Sequence, residues 1–245
     1  MLKFCSVVER YNILTNTCEV VANVNDINDY FISCYSVCAF DDSIFLTGGD
    51  DEFEAISNFC YKLNLKDFSW QETPRMKEAR ESPSSCVFEG RIIVTGGLQD
   101  NEDGTDVNFY DDADLGLVAT KTCESFDPVL NVWKNFAKMN FSRCCHKSIV
   151  ISNKFYVIGG GTEVSEVYDS TCKKFTSLKR PVMQVHKKLL VNPVAAFSLG
   201  SEIYIFGKKS LIVLVFNYKT NEWYKKPRQA LKSIRKFALV NVPYL

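Results

Sequence analysis

The side chains able to do chemistry in this chain are two histidines, ten cysteines and several carboxylate pairs. Imidazole is the usual ligand for copper and zinc, but His146 and His186 are the only two histidines in the sequence. No metal or other cofactor is expected. Cys144 and Cys145 are adjacent and Cys34 and Cys38 are four apart, so neither pair has the Cys-x-x-Cys spacing of structural zinc. Small side chains in strands are their expected role. Asp50-Asp51 and Asp111-Asp112 lie in polar stretches where nothing would lift a carboxyl into the range of acid-base work. Gly-x-Ser-x-Gly, Gly-x-x-x-x-Gly-Lys and His-Glu-x-x-His do not occur, and Gly159-Gly160-Gly161 ends a strand with no helix after it to cradle phosphate. No catalytic residue is assigned, and an enzyme is not expected.

The totals narrow the partners. The chain has 245 residues, 46% hydrophobic and 24% charged, with no low-complexity tract, which suits one large globular unit. Lys plus Arg equals Asp plus Glu at 29 each, so no excess of positive charge favours nucleic acid or an anionic membrane. Met1 to Arg10 has no apolar core of signal-peptide length, and Leu211 to Phe216 is too short to cross a bilayer. Reduced thiols in the cytoplasm, with the nucleus as second choice, are the expectation.

Self-similarity supplies the architecture. Four segments share a turn and an alternating apolar strand ending on glycine: Asp42 to Gly48-Gly49, Gly90 to Gly96-Gly97, Asn153 to Gly159-Gly160, and Ser201 to Gly207-Lys208. Tight pairs at the turn tips make each a β-hairpin of strands a and b. A second column occurs five times over eight residues: Tyr11-Asn12 to Cys18, Leu63-Asn64 to Trp70, Phe126-Asp127 to Trp133, Tyr168-Asp169 to Phe175, and Phe216-Asn217 to Trp223. Its Asn or Asp sets a turn by bonding to the backbone two residues on. The eighth residue is expected to wedge between neighbouring sheets, which makes Trp70, Trp133 and Trp223 structural.

The glycine pair, the Tyr/Phe-Asp/Asn turn and the Trp, in that order, resemble the kelch repeat over nearly the whole chain. The resemblance implies an all-β fold, a β-propeller of four-stranded antiparallel blades. Four complete blades are placed at about 31–76, 80–139, 143–180 and 190–227, with a partial blade at 1–25 and a closing strand at 231–245. The first glycines fall at 48, 96, 159 and 207, so the second unit carries about fifteen extra residues between Gly97 and Cys123. Cys18 and Phe175 replace Trp, Lys208 replaces a glycine, and Leu178 to Pro193 is long, so the fourth blade should pack less regularly. Five blades could close through Leu2 to Val7. The preferred expectation is a carboxy-terminal part of a longer protein with a sixth blade upstream.

Antiparallel blades send the b–c and d–a loops to one face, where variable loops on a rigid scaffold favour recognition. The b–c loops are Asp50 to Ile56, Leu98 to Thr120, Gly161 to Val164 and Lys208 to Ser210. Before two a strands stands Met-x-x-x-Arg, Met76 to Arg80 and Met139 to Arg143, an element that in kelch adaptors lies on this rim. The expected partner-binding rim is Asp50, Asp51, Glu52, Arg80, Ser82, Asp100, Asp103, Phe109, Tyr110, Asp111, Asp112, Asp114, Arg143, Cys145, His146, Lys208 and Lys209. The alternative for Arg80 and Arg143 is packing between blades. The acidic b–c loops of blades one and two suit a basic segment of a protein partner. By resemblance the function is a protein-binding module, the substrate-recognition kelch domain of a BTB-kelch adaptor for a cullin-RING ubiquitin ligase. An actin-binding cytoskeletal scaffold is the alternative, and a copper-oxidase-type propeller enzyme is the remote one.

Overall fold

Short alternating apolar runs, each ended by turn residues, pair as antiparallel hairpins because every hairpin buries one side of each strand and satisfies its backbone. A computed structural model describes residues 7–12, 14–27, 32–51, 53, 55–100, 116–180, 193–207 and 212–227. The hairpin β1 (Val7–Asn12) and β2 (Thr17–Asn23) is followed by blade one, β3 (Ser36–Phe40), β4 (Ser43–Thr47), β5 (Cys60–Asn64) and β6 (Trp70–Glu72). Blade two is β7 (Ser84–Phe88), β8 (Arg91–Thr95), β11 (Cys123–Asp127) and β12 (Val132–Asn135), interrupted by β9 (Leu98–Asp100) and β10 (Leu117–Ala119). Blade three is β13 (Lys147–Ile151), β14 (Lys154–Ile158), β15 (Glu166–Asp169) and β16 (Lys174–Ser177). Blade four is β17 (Pro193–Leu199), β18 (Glu202–Gly207), β19 (Ile212–Asn217) and β20 (Glu222–Pro227). Each blade is one antiparallel sheet in the order a-b-c-d. The irregularity of blade four is a register shift between Pro193 and Ala195. Residues 2–6 and the closing strand at 231–245 lie outside the described residues.

The turns follow from their side chains. Glu89 and Gly90, and Ser152 and Asn153, have positive φ at both tip positions, the geometry of a tight hairpin turn. In all four c–d turns the Asn or Asp carboxyl or amide oxygen accepts the backbone N–H two residues on: Lys66 to Asn64, Val129 to Asp127, Thr171 to Asp169 and Lys219 to Asn217.

The core is a series of sandwiches between successive blades rather than one centre. Cys38, Phe45 and Cys60 of blade one meet Ile92, Val94, Phe126 and Trp133 of blade two. Phe88, Ile93 and Cys123 meet Phe155, Tyr168 and Phe175. Ile149, Ile151, Tyr156 and Ile158 meet Ile203, Ile205, Leu214 and Phe216. Each tryptophan ties its blade to the unit before it: Nε1 of Trp70 donates to Asn23 O (3.0 Å), that of Trp133 to Pro74 O (2.7 Å) and that of Trp223 to Lys179 O (2.6 Å). Phe175 has no such donor and packs against Phe155 and Tyr168 instead.

The glycine pair is where the next blade's incoming loop crosses. Gly96 has φ 56, and a β-carbon there would lie 2.3 Å from Arg143 O. Gly97 N donates to that carbonyl at 2.9 Å, as Gly49 N does to Arg80 O at 2.8 Å. Ser82 N donates to Cys34 O and Cys145 N to Ser82 O, so Cys34, Ser82 and Cys145, all with positive φ, form a backbone rail from blade to blade.

Candidate functional site

On the loop face, two d–a loops are each knitted to a b–c loop. Ser33 pairs with Asp50, and Glu81 pairs with Leu98, through two backbone hydrogen bonds each. Ser33 Oγ also donates to Asp50 Oδ1 at 2.6 Å. Asp51 Oδ1 accepts the N–H groups of Phe53 and Ala55, so this acid is a turn-former as well as a surface charge. The fifteen-residue excess of blade two has an ordered stem: β9 and β10 pair from Leu98 with Ala119 to Asp100 with Leu117. Asp100 stands exposed at its end. Glu52, Asp103, Phe109, Tyr110, Asp111, Asp112, Asp114, Lys208 and Lys209 lie outside the described residues.

Three expected rim residues are corrected to the interior. Arg80 and Arg143 are 0% exposed. Arg80 Nη1 donates to Gly96 O (2.9 Å) and Thr122 O (3.2 Å), while Nη2 reaches Glu78 (2.9 Å) and Glu124 (3.3 Å). Arg143 Nη1 donates to Gly159 O (2.6 Å) and Nη2 to Glu166 (2.6 Å). A long side chain rooted in a loop can turn inward when a buried carboxylate and backbone carbonyls lie within reach, and both do so here. His146 is likewise buried, its Nε2 bonded to Thr95 Oγ1 at 2.7 Å. Burial, aided by the charges of Arg143, Lys147 and Arg80, holds its pKa well below the usual imidazole value. Ser82 and Cys145 are half-buried members of the backbone rail.

The partners of these arginines are residues that sequence reasoning missed. Glu124 accepts the N–H groups of Lys77 (2.8 Å) and Glu78 (3.1 Å), and Glu166 accepts Asn140 N (2.9 Å) and Nδ2 (2.7 Å). Each glutamate fixes the loop that delivers the arginine to it. A readable signal existed: among blades one to four, a Glu in strand c occurs in just the two entered by Met-x-x-x-Arg. Where Glu stands at 124 and 166, blade one has Tyr61 and blade four Leu214, both buried.

With both arginines withdrawn, the described part of the face keeps its carboxylates: Asp50, Asp51, Glu78, Glu81 and Asp100. Partial burial pushes Glu78 up, but hydrogen bonds from Thr122 and Gln99 and the Arg80 charge outweigh it and hold the carboxyl below its ordinary pKa. Donor atoms of Cys34, Asp50 and Glu81 lie within 4.8 Å of one another, the one such group of His, Cys, Asp and Glu among the described residues. Thiolate and carboxylate together could hold a cation, but this set lacks the paired imidazoles of copper chemistry.

Four stacked four-stranded sheets, joined by glycine pairs and aromatic wedges, define a β-propeller with kelch-type blades. No family model matches the chain. It is 30% identical over 176 residues to Kelch-like protein 15 of Danio rerio, covering 66% of this chain and 29% of that protein. An F-box/kelch-repeat protein of Arabidopsis thaliana is 29% identical over 53% of this chain and 31% of its own length. Kelch domain-containing protein 3 of Rattus norvegicus is 25% identical over 71% of this chain and 46% of its own. The solved structure of YjhT superposes with TM-score 0.63 at 14% identity, over 83% of this chain and 68% of that one, which shows the fold. The chain belongs to the kelch-repeat proteins, as a protein-interaction propeller. It spans less than half the length of these curated relatives.

Proposed function

We propose that this propeller is the substrate-recognition part of a cullin-RING ubiquitin ligase adaptor, and that its loop face takes a basic segment of the recruited protein. The observation that carries the second half is the burial of Arg80 and Arg143 against Glu124 and Glu166, which leaves the carboxylates of Asp50, Glu81 and Asp100 on the face without those two cations among them. Charge of one sign on a rigid rim raises the association rate of an oppositely charged partner and makes it salt-dependent. The ligase half rests on the resemblance of the repeats to those of BTB-kelch adaptors, not on a residue of the face.

The test is affinity purification of the tagged full-length gene product from its own cells, with Glu81→Gln plus Asp100→Asn as the variant. The recruited protein and a cullin are expected together, and recovery of the recruited protein should fall in the variant and with added salt. Capture of a partner without a cullin would refute the ligase role. Capture indifferent to both charge and salt would refute the basic segment.

A further inference from the structure

The stem of the blade-two loop is fastened by one side chain. Gln99, the middle residue of β9, donates from Nε2 to Glu78 Oε2 at 2.8 Å and towards Ala79 O at 3.4 Å. The same Glu78 oxygen accepts from Thr122 Oγ1 (2.5 Å) and Arg80 Nη2 (2.9 Å), so one carboxylate ties the stem to the entry of strand c and to the buried Arg80–Glu124 pair. The loop entering blade three has no such latch among the described residues. Phe141 stands two residues after Met139, where Glu78 stands two after Met76, and the b–c connection there is Gly161 to Val164 without paired strands. The latch goes with the stem it holds.

Alternation along the strand turns this latch into an orientation. Successive side chains of a strand point to opposite faces, and directly paired residues of neighbouring strands share a face. Leu98 is paired with Glu81 on one side and Ala119 on the other, and Asp100 is paired with Leu117. Because Gln99 is turned to Glu78, Glu81, Leu98, Ala119, Asp100 and Leu117 share the opposite face. Asp100 is exposed and the other four are half-buried. The face is thus a small apolar strip, Leu98 with Ala119 and Leu117, with a carboxylate at Glu81 and another diagonally across at Asp100. Such a diagonal spans about 7–8 Å between neighbouring strands, close to the roughly 6.5–7 Å between alternate side chains of an extended chain.

We propose that the Gln99–Glu78 latch orients this strip as a docking face, and that the face takes an extended segment of the recruited protein of the type Lys-x-Lys-x-Leu. Two carboxylates at that spacing match two cations on one side of an extended chain, and Leu98, Leu117 and Ala119 supply the apolar contact beside them. Gln99 and Glu78 are positioning residues for it. Such an occupant is the basic segment inferred above, given a pattern, and the docking face rests on that reading.

Hydrogen exchange and peptide binding on the 245-residue chain test the two halves. With Gln99→Ala or Glu78→Ala, the amides of 98–100 and 117–119 should exchange at least about tenfold faster while those of blade three stay unchanged, and the double variant should be no faster than the faster single. Gln99→Ala leaves Arg80 beside Glu124, so the fold is kept for the binding arm. There the probe is a fluorescein-labelled peptide repeating Lys-Ser-Lys-Ser-Leu-Ser. Its dissociation constant should rise at least about fivefold with Asp100→Asn and at least as much with Gln99→Ala, and adding Asp100→Asn to Gln99→Ala should cost less than about twofold more. Replacing the leucines of the peptide by serine should weaken it at least about fivefold. Unchanged exchange would overturn the latch. A peptide that binds and yields to salt, yet ignores Gln99→Ala, Asp100→Asn or the loss of its leucines, would overturn the docking face and leave the basic-segment reading standing. Failure of the peptide to bind, or binding indifferent to salt, would overturn both.

Discussion

Replacing Glu166 should destabilise the propeller more than any surface change, and the size of the loss follows from what it touches. Its carboxylate lies 2.6 Å from Arg143 Nη2 with both side chains fully buried, and it accepts two hydrogen bonds from Asn140. Glu166→Leu takes the Glu166 carboxylate from the buried Arg143 guanidinium, a loss of about 3–5 kcal/mol. For a domain of this size each kcal/mol moves the melting temperature by roughly 2–4 °C, so a fall of roughly 6–20 °C is expected. The double variant Arg143→Met with Glu166→Leu removes both charges and should recover most of the loss. It should remain about 1–3 kcal/mol below the parent because the buried Gly159 carbonyl loses its donor. Leu214, buried at the same position of blade four, shows that the site accepts leucine. Thermal unfolding followed by near-ultraviolet circular dichroism, with urea midpoints at constant m as a check, measures all three proteins. A double variant as unstable as Glu166→Leu alone would refute the buried-charge account.

Trp133→Ala should cost about 3–5 kcal/mol, since the indole is buried against Phe126. Trp133→Phe should cost only about 0.5–1.5 kcal/mol beyond packing changes, because it removes just the bond to Pro74 O; urea titration separates the two. His146 is neutral when folded and its pKa is depressed, so the unfolded chain binds the extra proton and stability is lost as pH falls below about 6.5, the unfolded value, by up to about 1.4 kcal/mol per unit. His146→Gln should flatten the melting-temperature profile between about pH 7 and 5, and an unchanged slope would assign the loss elsewhere. Burial pushes the Cys38, Cys60 and Cys123 thiols up to about 12, so peptide mapping after maleimide treatment at about pH 8 should find Cys18 and Cys172 modified before these three, which react only after unfolding.

Turns and wedges were legible in the sequence because their residue types act locally. An Asn or Asp opening a c–d turn binds a backbone N–H two residues away, and the same contact recurs in four blades. The direction of Arg80 and Arg143 was legible only by comparing one blade with another, because their carboxylates lie 44 and 23 residues further on. Strand patterning gave no help. Cys123, Glu124, Ser125 and Phe126 are all buried, since a middle strand of a blade has a sheet packed on both sides and no solvent face to receive its polar residues. A glutamate in such a strand has to find a cation from a neighbouring element or not be charged at all. Met-x-x-x-Arg and the strand-c Glu are thus two halves of one joint that fixes how the loops at Arg80 and Arg143 enter their blades, and Asp50, Glu81 and Asp100 are the neighbouring side chains proposed above for recognition.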